Sequence, residues 1–247
     1  MREHQAPQIY LLGDSIFDNE RYLDNGQLSV AAQIHKKYRY IWQYNGNNSR
    51  NWRNQPSVID HGSEDGTTAE TFANKVPEIK IKKTNYYFSL SEPQPRMRMF
   101  FLSLGMNDIL HFMREIKTLD LFQKYNPGEI LFERKMDFEK AYEKIMQTII
   151  HYSYWIPSIC TIYDGVVEDR SLFSIIQSMF NDVIYKIGYR HSVPVIELRQ
   201  IFTDQDDYTN FVEPSEKGGE KLAGKISAEA EEVFLLNKLT KLWSAEI

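Results

Sequence analysis

The residue with the clearest chemical potential is Ser15, which ends the run YLLGDS at positions 10–15. An apolar stretch that leads into Gly13 and then a hydroxyl indicates a strand followed by a tight turn. Ligands of open α/β sheets bind beyond the carboxyl ends of the strands, so a nucleophile would be well placed here. A serine in a βα turn also caps helices. Three matching residues alone favour the capping interpretation.

Two further glycine turns follow apolar stretches. Gly66 lies in HGSEDGTT at positions 61–68, after a short predicted strand at 57–60. The run GMND at positions 105–108 places Asn107 directly after 97–104, the most apolar stretch of the chain. All three turns are predicted to lie at the same edge of one sheet, where parallel strands end.

The elements that position these turns alternate between strands and helices. Such alternation predicts a parallel sheet with right-handed crossovers. The stretch 97–104 is predicted to be a central strand that is covered on both faces. The segment 109–135 is compatible with a lid over a crevice or with a peripheral helix pair. The predicted strands are 8–12, 57–60, 97–104, 157–163 and 193–197, and the predicted helices are 27–39, 137–154, 171–189 and one after 215.

Composition limits the class of protein. Hydrophobic residues make up 42% of the 247 residues, which excludes a disordered chain, and a formal charge of −5 gives no basic footprint for nucleic acid. The aromatic stretch 42–56 contains too few arginines to predict a stacking surface for nucleic acid. The single Cys160 excludes an internal disulfide and a cysteine metal cluster, and its apolar surroundings predict a core position.

The chain shows no internal repeat, low-complexity tract or linker, so a single domain over residues 1–247 is expected. The first residues carry no apolar signal-peptide core, and no run approaches the ~18 apolar residues that a membrane-spanning helix needs. A cytoplasmic protein without an integral membrane segment is therefore expected, unless another secretion route exists.

In their order along the chain, these turns resemble the sequence blocks of the SGNH (GDSL-type) hydrolases. The resemblance covers about residues 8 to 228 and implies a flavodoxin-like three-layer α/β/α sandwich with a central five-stranded parallel sheet. It also implies that Ser15 is a nucleophile and that Ser15, Gly66 and Asn107 form an oxyanion hole. Backbone and carboxamide N–H groups suit that purpose, because both can point at a developing oxyanion. The resemblance implies no cofactor and no metal.

The last block departs from the family pattern. That block usually ends in Asp-x-x-His, whereas this chain has NFVEPS at positions 210–215, with Asn210 in the Asp position and Glu213 in the His position. The runs IYDG at 162–165, NDVI at 181–184 and VIELR at 195–199 resemble a bacterial branch that carries Glu-Pro-Ser at this place. Within that branch, Glu213 belongs to a lineage pattern.

Two routes to a general base remain open. A carboxylate can deprotonate a serine when burial raises its pKa. The order of the blocks brings the final loop over the end of the first strand, so Ser15 is predicted to lie within hydrogen-bond range of Glu213 or of one bridging water. Alternatively, His61 after the second strand or His111 one turn past Asn107 is the base, although a lone histidine beside a crevice more often has a structural role.

Four further residues are secondary candidates. Asp14 adjoins the serine, and Asp18 and Asn19 lie one turn later, where they would orient Ser15 or, as capping preferences favour, cap the next helix. Asp108 is expected to anchor the loop that holds its neighbour rather than to contact substrate.

The leading functional hypothesis is a serine ester hydrolase of the esterase, lipase or deacetylase class. Its substrate would be a small-molecule, glycan or lipid ester. The alternatives are a catalytically silent SGNH-fold binding protein and an acyltransferase in which a substrate hydroxyl replaces water. Only the carboxylate at position 213 separates the hydrolase from the silent protein at the level of sequence.

Overall fold

The computed structural model describes residues 8–44, 58–76, 98–151 and 155–243. Predictions that concern 45–57 and 77–97 therefore lie outside the described residues. The strands are β1 Gln8–Gly13, β2 Val58–Ser63, β3 Arg98–Ser103, β4 Trp155–Cys160, β5 Val195–Ile196, β6 Tyr208–Asn210 and β7 Glu213–Pro214. The helices are α1 Val30–Tyr44, α2 Ala69–Lys75, α3 Met106–Leu119, α4 Leu121–Lys124, α5 Pro127–His151, α6 Arg170–His191 and α7 Glu216–Trp243.

The main sheet has the order β2-β1-β3-β4-β5, and every neighbouring pair is parallel. This is the flavodoxin-like order, in which the topological switch point lies between β1 and β3. The predicted α/β class with a parallel sheet is confirmed. The predicted fifth strand is reduced to two residues, which pair with Ile159 and Cys160 of β4.

Helices cover the sheet and complete its core. Helix α1 packs against α7, whereas α5 packs against α2 and α6. The central strand β3 is fully buried from Met99 to Leu102, which confirms the prediction that it is covered on both faces. Cys160 is also fully buried and has a free thiol, as its apolar surroundings predicted.

The segment 109–135 is helical and forms most of α3, all of α4 and the start of α5. In α3, Ile109, Phe112 and Ile116 are buried, so one face of this helix packs into the core. The prediction that a helix begins at 137 was wrong, because α5 already begins at Pro127. Proline suits the first turn of a helix, where its missing N–H has no partner to lose.

Side chains of the preceding loops cap the N-termini of α2 and α6. Thr68 precedes α2, and its hydroxyl accepts a hydrogen bond from the Thr71 N–H in a reciprocal capping box. The Asp169 side chain caps α6 by accepting a hydrogen bond from the Leu172 N–H. Each helix of the described ranges is too short or too polar to cross a membrane.

The end of β1 lies unusually close to β3. Gly13 has φ +126°, and a Cβ atom at this residue would lie 1.7 Å from the carbonyl oxygen of Ser103. That carbonyl instead accepts a hydrogen bond from the Asp14 N–H at 3.1 Å. Because only glycine leaves this space free, Gly13 lets the chain turn out of the sheet directly before Ser15.

We predict that Gly13→Ala lowers the free energy of unfolding by more than about 4 kcal/mol, because the new methyl group collides with backbone. Gly26→Ala is the matched control: Gly26 also has a positive φ, +93°, but nothing lies within 4 Å of its added Cβ. The control should cost only about 1 to 2 kcal/mol of backbone strain. Urea unfolding followed by circular dichroism compares the two variants, and equal losses would contradict the prediction.

Candidate active site

Ser15 lies in a tight turn at the carboxyl end of β1, beside the topological switch point. The Asp18 N–H donates to the Ser15 carbonyl at 3.0 Å, which closes the turn. The Ser15 side chain is buried. The sheet order therefore places this hydroxyl at the edge where ligands of such sheets bind.

Glu213, which lies in the C-terminal part of the sequence, contacts Ser15. Its Oε1 accepts a hydrogen bond from Ser15 Oγ at 2.9 Å, between two buried residues 198 positions apart. The short antiparallel hairpin of β6 and β7 carries Glu213, and the Tyr163 hydroxyl donates to the Val212 carbonyl of that hairpin at 2.6 Å. The predicted proximity of Ser15 and Glu213 is confirmed as a contact.

The environment of Glu213 favours a carboxyl group that holds its proton more tightly than usual. Burial raises the pKa of Glu213 above its ordinary value of 4.5, while the Ser15 hydrogen bond and the positive charge of Arg21 oppose that rise. The negative charge of Asp18 adds to the rise. Glu213 Oε2 is buried and receives no hydrogen bond within the described residues.

Asp14 is a second buried carboxyl group next to the serine. Its Oδ1 accepts a long hydrogen bond, 3.4 Å, from the Ile16 N–H, and its Oδ2 is buried without a partner among the described residues. Burial raises the pKa of Asp14 well above 3.8, and the negative charges of Glu213 and Asp108 raise it further. This shift favours the protonated form of Asp14, in which the group adds no second negative charge beside Glu213.

The loop that carries Gly66 is tied to the first turn of α3, which carries Asn107. Asn107 Nδ2 donates to the Thr67 carbonyl at 3.2 Å, and both carboxylate oxygens of Asp108 accept from the Ala69 N–H, at 3.0 and 3.2 Å. Asp108 therefore anchors the start of α2, directly after the loop of Gly66, to the first turn of α3. Gly66 has φ +79°, which allows the turn that brings Thr67 into reach.

Asp108 also shows how burial acts on a carboxyl group that has strong donors. Burial raises its pKa from 3.8 to about 6, and the hydrogen bond from the Ala69 N–H opposes that rise. A carboxylate at the N-terminus of α2 is favourable, because the first N–H groups of a helix have no partner within it.

Asn19 does not cap the short helical turn at 20–22 that follows it, but its side chain bonds to the start of α1 and to a second segment, which the sequence did not indicate. Its Oδ1 accepts from the Val30 N–H at the start of α1 at 3.0 Å, and its Nδ2 donates to the Pro214 carbonyl at 3.1 Å. Asn19 is fully buried. Asp18 is half-buried and acts on Glu213 through its charge.

The remaining candidates are two histidines and Asn210, which pairs with Glu213 in the β6–β7 hairpin. His61 belongs to β2, and its side chain lies outside the described residues. His111 is exposed and lines a groove together with Gly66 and Asp108. Asn210, in the position of the family's orienting Asp, is exposed, and its Oδ1 accepts from the neighbouring Phe211 N–H at 2.9 Å.

A polar cluster links the turn after β1 to the loop after β2. The Tyr22 hydroxyl donates to Asp65 Oδ2 at 2.8 Å and accepts from Arg21 at 2.7 Å, and Arg21 forms an ion pair with Asp65. Thr209 of β6 donates to the Tyr22 carbonyl at 3.3 Å. No sequence signal pointed to this cluster, because its members come from three segments that are far apart in the sequence.

The donor set of the site does not resemble a metal centre. Across the described ranges, no three His, Cys, Asp or Glu side chains are arranged to hold a metal ion.

Comparison with solved structures identifies proteins that share this fold. No family model matches the chain, and no curated protein matches it. Among solved structures, the lipase Lip_vut3 from a goat rumen metagenome superimposes with a TM-score of 0.65 at 15% identity, over 90% of this chain and 97% of that one. The chain has the fold of the GDSL-type lipases and esterases.

Two further GDSL-fold structures agree with that assignment. The acetyl xylan esterase AlAXEase matches with a TM-score of 0.58 at 13% identity, over 90% of this chain and 98% of that one. A lipolytic protein of the G-D-S-L family from Veillonella parvula matches with a TM-score of 0.55 at 18% identity, over 93% and 99%. Identities this low establish a shared fold, so the roles of individual residues rest on the geometry above.

We predict that Asp14→Asn gains stability relative to the natural chain as pH rises. The raised pKa of Asp14 means that the folded state holds this proton more tightly than the unfolded state does. The natural chain therefore loses stability between the unfolded pKa, about 3.9, and the higher folded pKa, and the neutral variant does not. Urea unfolding at a series of pH values measures the difference, and a difference that is independent of pH would contradict the prediction.

Proposed function

We propose that this protein hydrolyses carboxylic esters through an acyl-enzyme on Ser15, with Glu213 as the general base. The observation that carries the proposal is the buried hydrogen bond of 2.9 Å from Ser15 Oγ to Glu213 Oε1, at the switch point of the sheet. A nucleophile with a base in hydrogen-bond range is the arrangement that covalent catalysis requires. The names of the similar structures, lipase and acetyl xylan esterase, belong to the same reaction class.

In the proposed reaction, Ser15 Oγ bonds to the ester carbonyl carbon while its proton passes to Glu213. The tetrahedral intermediate then collapses, the C–O bond to the alcohol breaks, and Glu213 gives the proton to the departing oxygen. Water next attacks the acyl-serine and passes a proton to Glu213. That proton returns to Ser15 Oγ as the carboxylic acid leaves, which restores the starting state.

Burial suits Glu213 to this task. A general base is most effective when its pKa lies near the working pH, and a solvated carboxylate is too weak a base. Burial raises the pKa of Glu213 above 4.5, which moves it in the required direction. The Ser15 hydrogen bond also fixes which oxygen faces the nucleophile, so one carboxylate performs part of the orienting that a His–Asp pair shares.

We further propose that the Ser15 N–H, the Gly66 N–H and Asn107 Nδ2 stabilise the oxyanion. A carboxamide nitrogen carries two hydrogens, and the hydrogen bond to Thr67 at 3.2 Å uses one of them. That bond holds the amide group in a fixed orientation and leaves its second hydrogen for a substrate. Preorganised donors of this kind cost no reorganisation at the moment of reaction.

A groove of about 560 Å³ lies beside this loop, and its lining combines polar and charged side chains with apolar ones, Phe138 and Phe180 among them. A mixed lining of this kind suits an ester that has both a polar and an apolar portion. The lining includes Gly66, Asp108, His111, Glu115, Arg134 and Lys140.

A catalytically silent binding protein is the competing function, and one observation favours it. Glu213 Oε2 lacks a hydrogen-bond partner within the described residues, so no third group orients the carboxylate as an Asp orients the usual histidine. The two functions make different predictions about Ser15. In a hydrolase the ionised form of Glu213 makes Ser15 more reactive, whereas in a silent binding protein it does not.

We predict that Glu213→Gln lowers kcat for p-nitrophenyl acetate by about 10²- to 10⁴-fold, because the amide still accepts the Ser15 hydrogen bond but cannot take its proton. In the natural chain the rate should rise with pH through the pKa of Glu213, above 4.5, since only the ionised form is a base. Steady-state rates at a series of pH values measure both effects.

Glu220→Gln is the matched control, because Glu220 is an exposed carboxylate that pairs with Lys37 at 3.4 Å. This control should keep the natural rate and pH profile. A Glu213→Gln variant with the natural profile would exclude Glu213 as the base, and a natural chain without activity on short acyl esters would favour the binding protein.

A further inference from the structure

Asn19 connects the serine turn to the strand that carries Glu213. It lies four residues after Ser15 and is fully buried. Its Nδ2 donates to the Pro214 carbonyl at 3.1 Å, and Pro214 is the residue directly after Glu213. A single side chain thus bonds to the backbone of the residue next to the proposed base.

The serine side of this connection is short and closed by hydrogen bonds. The Asp18 N–H donates to the Ser15 carbonyl, and the Tyr22 N–H donates to the Asn19 carbonyl, both at 3.0 Å. Asn19 Oδ1 accepts from the Val30 N–H, which fixes the amide against the start of α1. The turn therefore has little freedom to move relative to the Asn19 amide.

The Glu213 side is held by contacts on both flanks. The Tyr163 hydroxyl binds the Val212 carbonyl before Glu213, and the Ser215 N–H donates to the Asp207 carbonyl at 2.8 Å after it. These contacts connect the β7 segment to the loop that follows β4 and to the turn that precedes β6. The Asn19 contact ties β7 to the serine turn itself.

The chemistry of the connection requires an amide. One atom must accept from the Val30 N–H while another donates to the Pro214 carbonyl, and asparagine supplies both functions on one short side chain. An aspartate at this position keeps the acceptor for the helix start but has no donor when ionised. This difference allows the two contacts to be separated experimentally.

We propose that Asn19 is a positioning residue that holds Glu213 within hydrogen-bond distance of Ser15. The proposal rests on the function proposed above for these two residues. A displacement of about 1 Å in a reacting group can cost about 10²-fold in rate, so loss of this contact should lower kcat more than it raises KM.

The test compares Asn19→Ala and Asn19→Asp with Gln33→Ala as a matched control. Gln33 is another buried amide that bridges two elements: its Nε2 donates to the Leu28 carbonyl at 3.0 Å and to the Glu216 carbonyl at 2.9 Å. It does not touch Ser15 or β7 in these contacts. Gln33→Ala therefore reports the cost of losing a buried amide that bridges elements elsewhere.

Both Asn19 variants should lower kcat for p-nitrophenyl acetate by about 10- to 100-fold with KM within about twofold. Asn19→Asp should recover thermal stability relative to Asn19→Ala, because it still caps α1, but it should not recover kcat. Gln33→Ala should lose stability and keep kcat within about twofold. If Asn19→Ala does not fold, kcat and KM of Asn19→Asp are compared with those of the natural chain and Gln33→Ala.

Crystal structures of the natural chain and the Asn19 variants provide a readout that does not depend on activity. The distance from Ser15 Oγ to Glu213 Oε1 should exceed hydrogen-bond range, about 3.5 Å, in the variants. An unchanged distance, an unchanged kcat, or a kcat restored in Asn19→Asp would overturn the proposal. An inactive natural chain whose Ser15–Glu213 distance still depends on Asn19 would contradict the hydrolase and leave the positioning role supported.

Discussion

The hydrogen bond between Ser15 and Glu213 joins the two ends of the fold, and the rest of the site is arranged around it. It requires β1 to stop at the switch point, the Gly13 turn to leave the sheet there, and the β6–β7 hairpin to reach over that edge. A side-chain contact over 198 positions of sequence survives only if each of these elements is fixed independently. The close approach of β1 to Ser103 and the contact of Asn19 with Pro214 supply that fixation.

Three carboxyl groups near this contact differ because their hydrogen-bond partners differ. Asp108 receives N–H donors from the start of α2, Glu213 faces a hydroxyl and the charge of Arg21, and Asp14 has a single long hydrogen bond. Burial raises the pKa of all three, but each has a different opposing interaction. Environments that differ in this way are how a site assigns separate roles to chemically equal groups.

Much of the fold and part of the site could be predicted from sequence. The order of strands, the glycine turns and the meeting of Ser15 with Glu213 follow from local patterns and the resemblance to a known family. The contact of Asn19 with Pro214 could not be predicted, because it depends on how two distant segments meet. The burial of Asp14 could not be predicted either, because the residues of its motif are polar and polar residues are usually exposed. The start of α5 at Pro127 was missed, because the predicted helix began only at 137.

The most direct test of the central claim is the rate at which an organophosphonate labels Ser15, measured by intact mass and peptide mapping from about pH 5 to about pH 9. If Glu213 activates Ser15, the natural chain should be labelled at Ser15 at a rate that rises with ionisation of Glu213. Glu213→Gln should be labelled at least about 10²-fold more slowly. Absence of labelling across this range, or equal rates in the two proteins, would contradict the account.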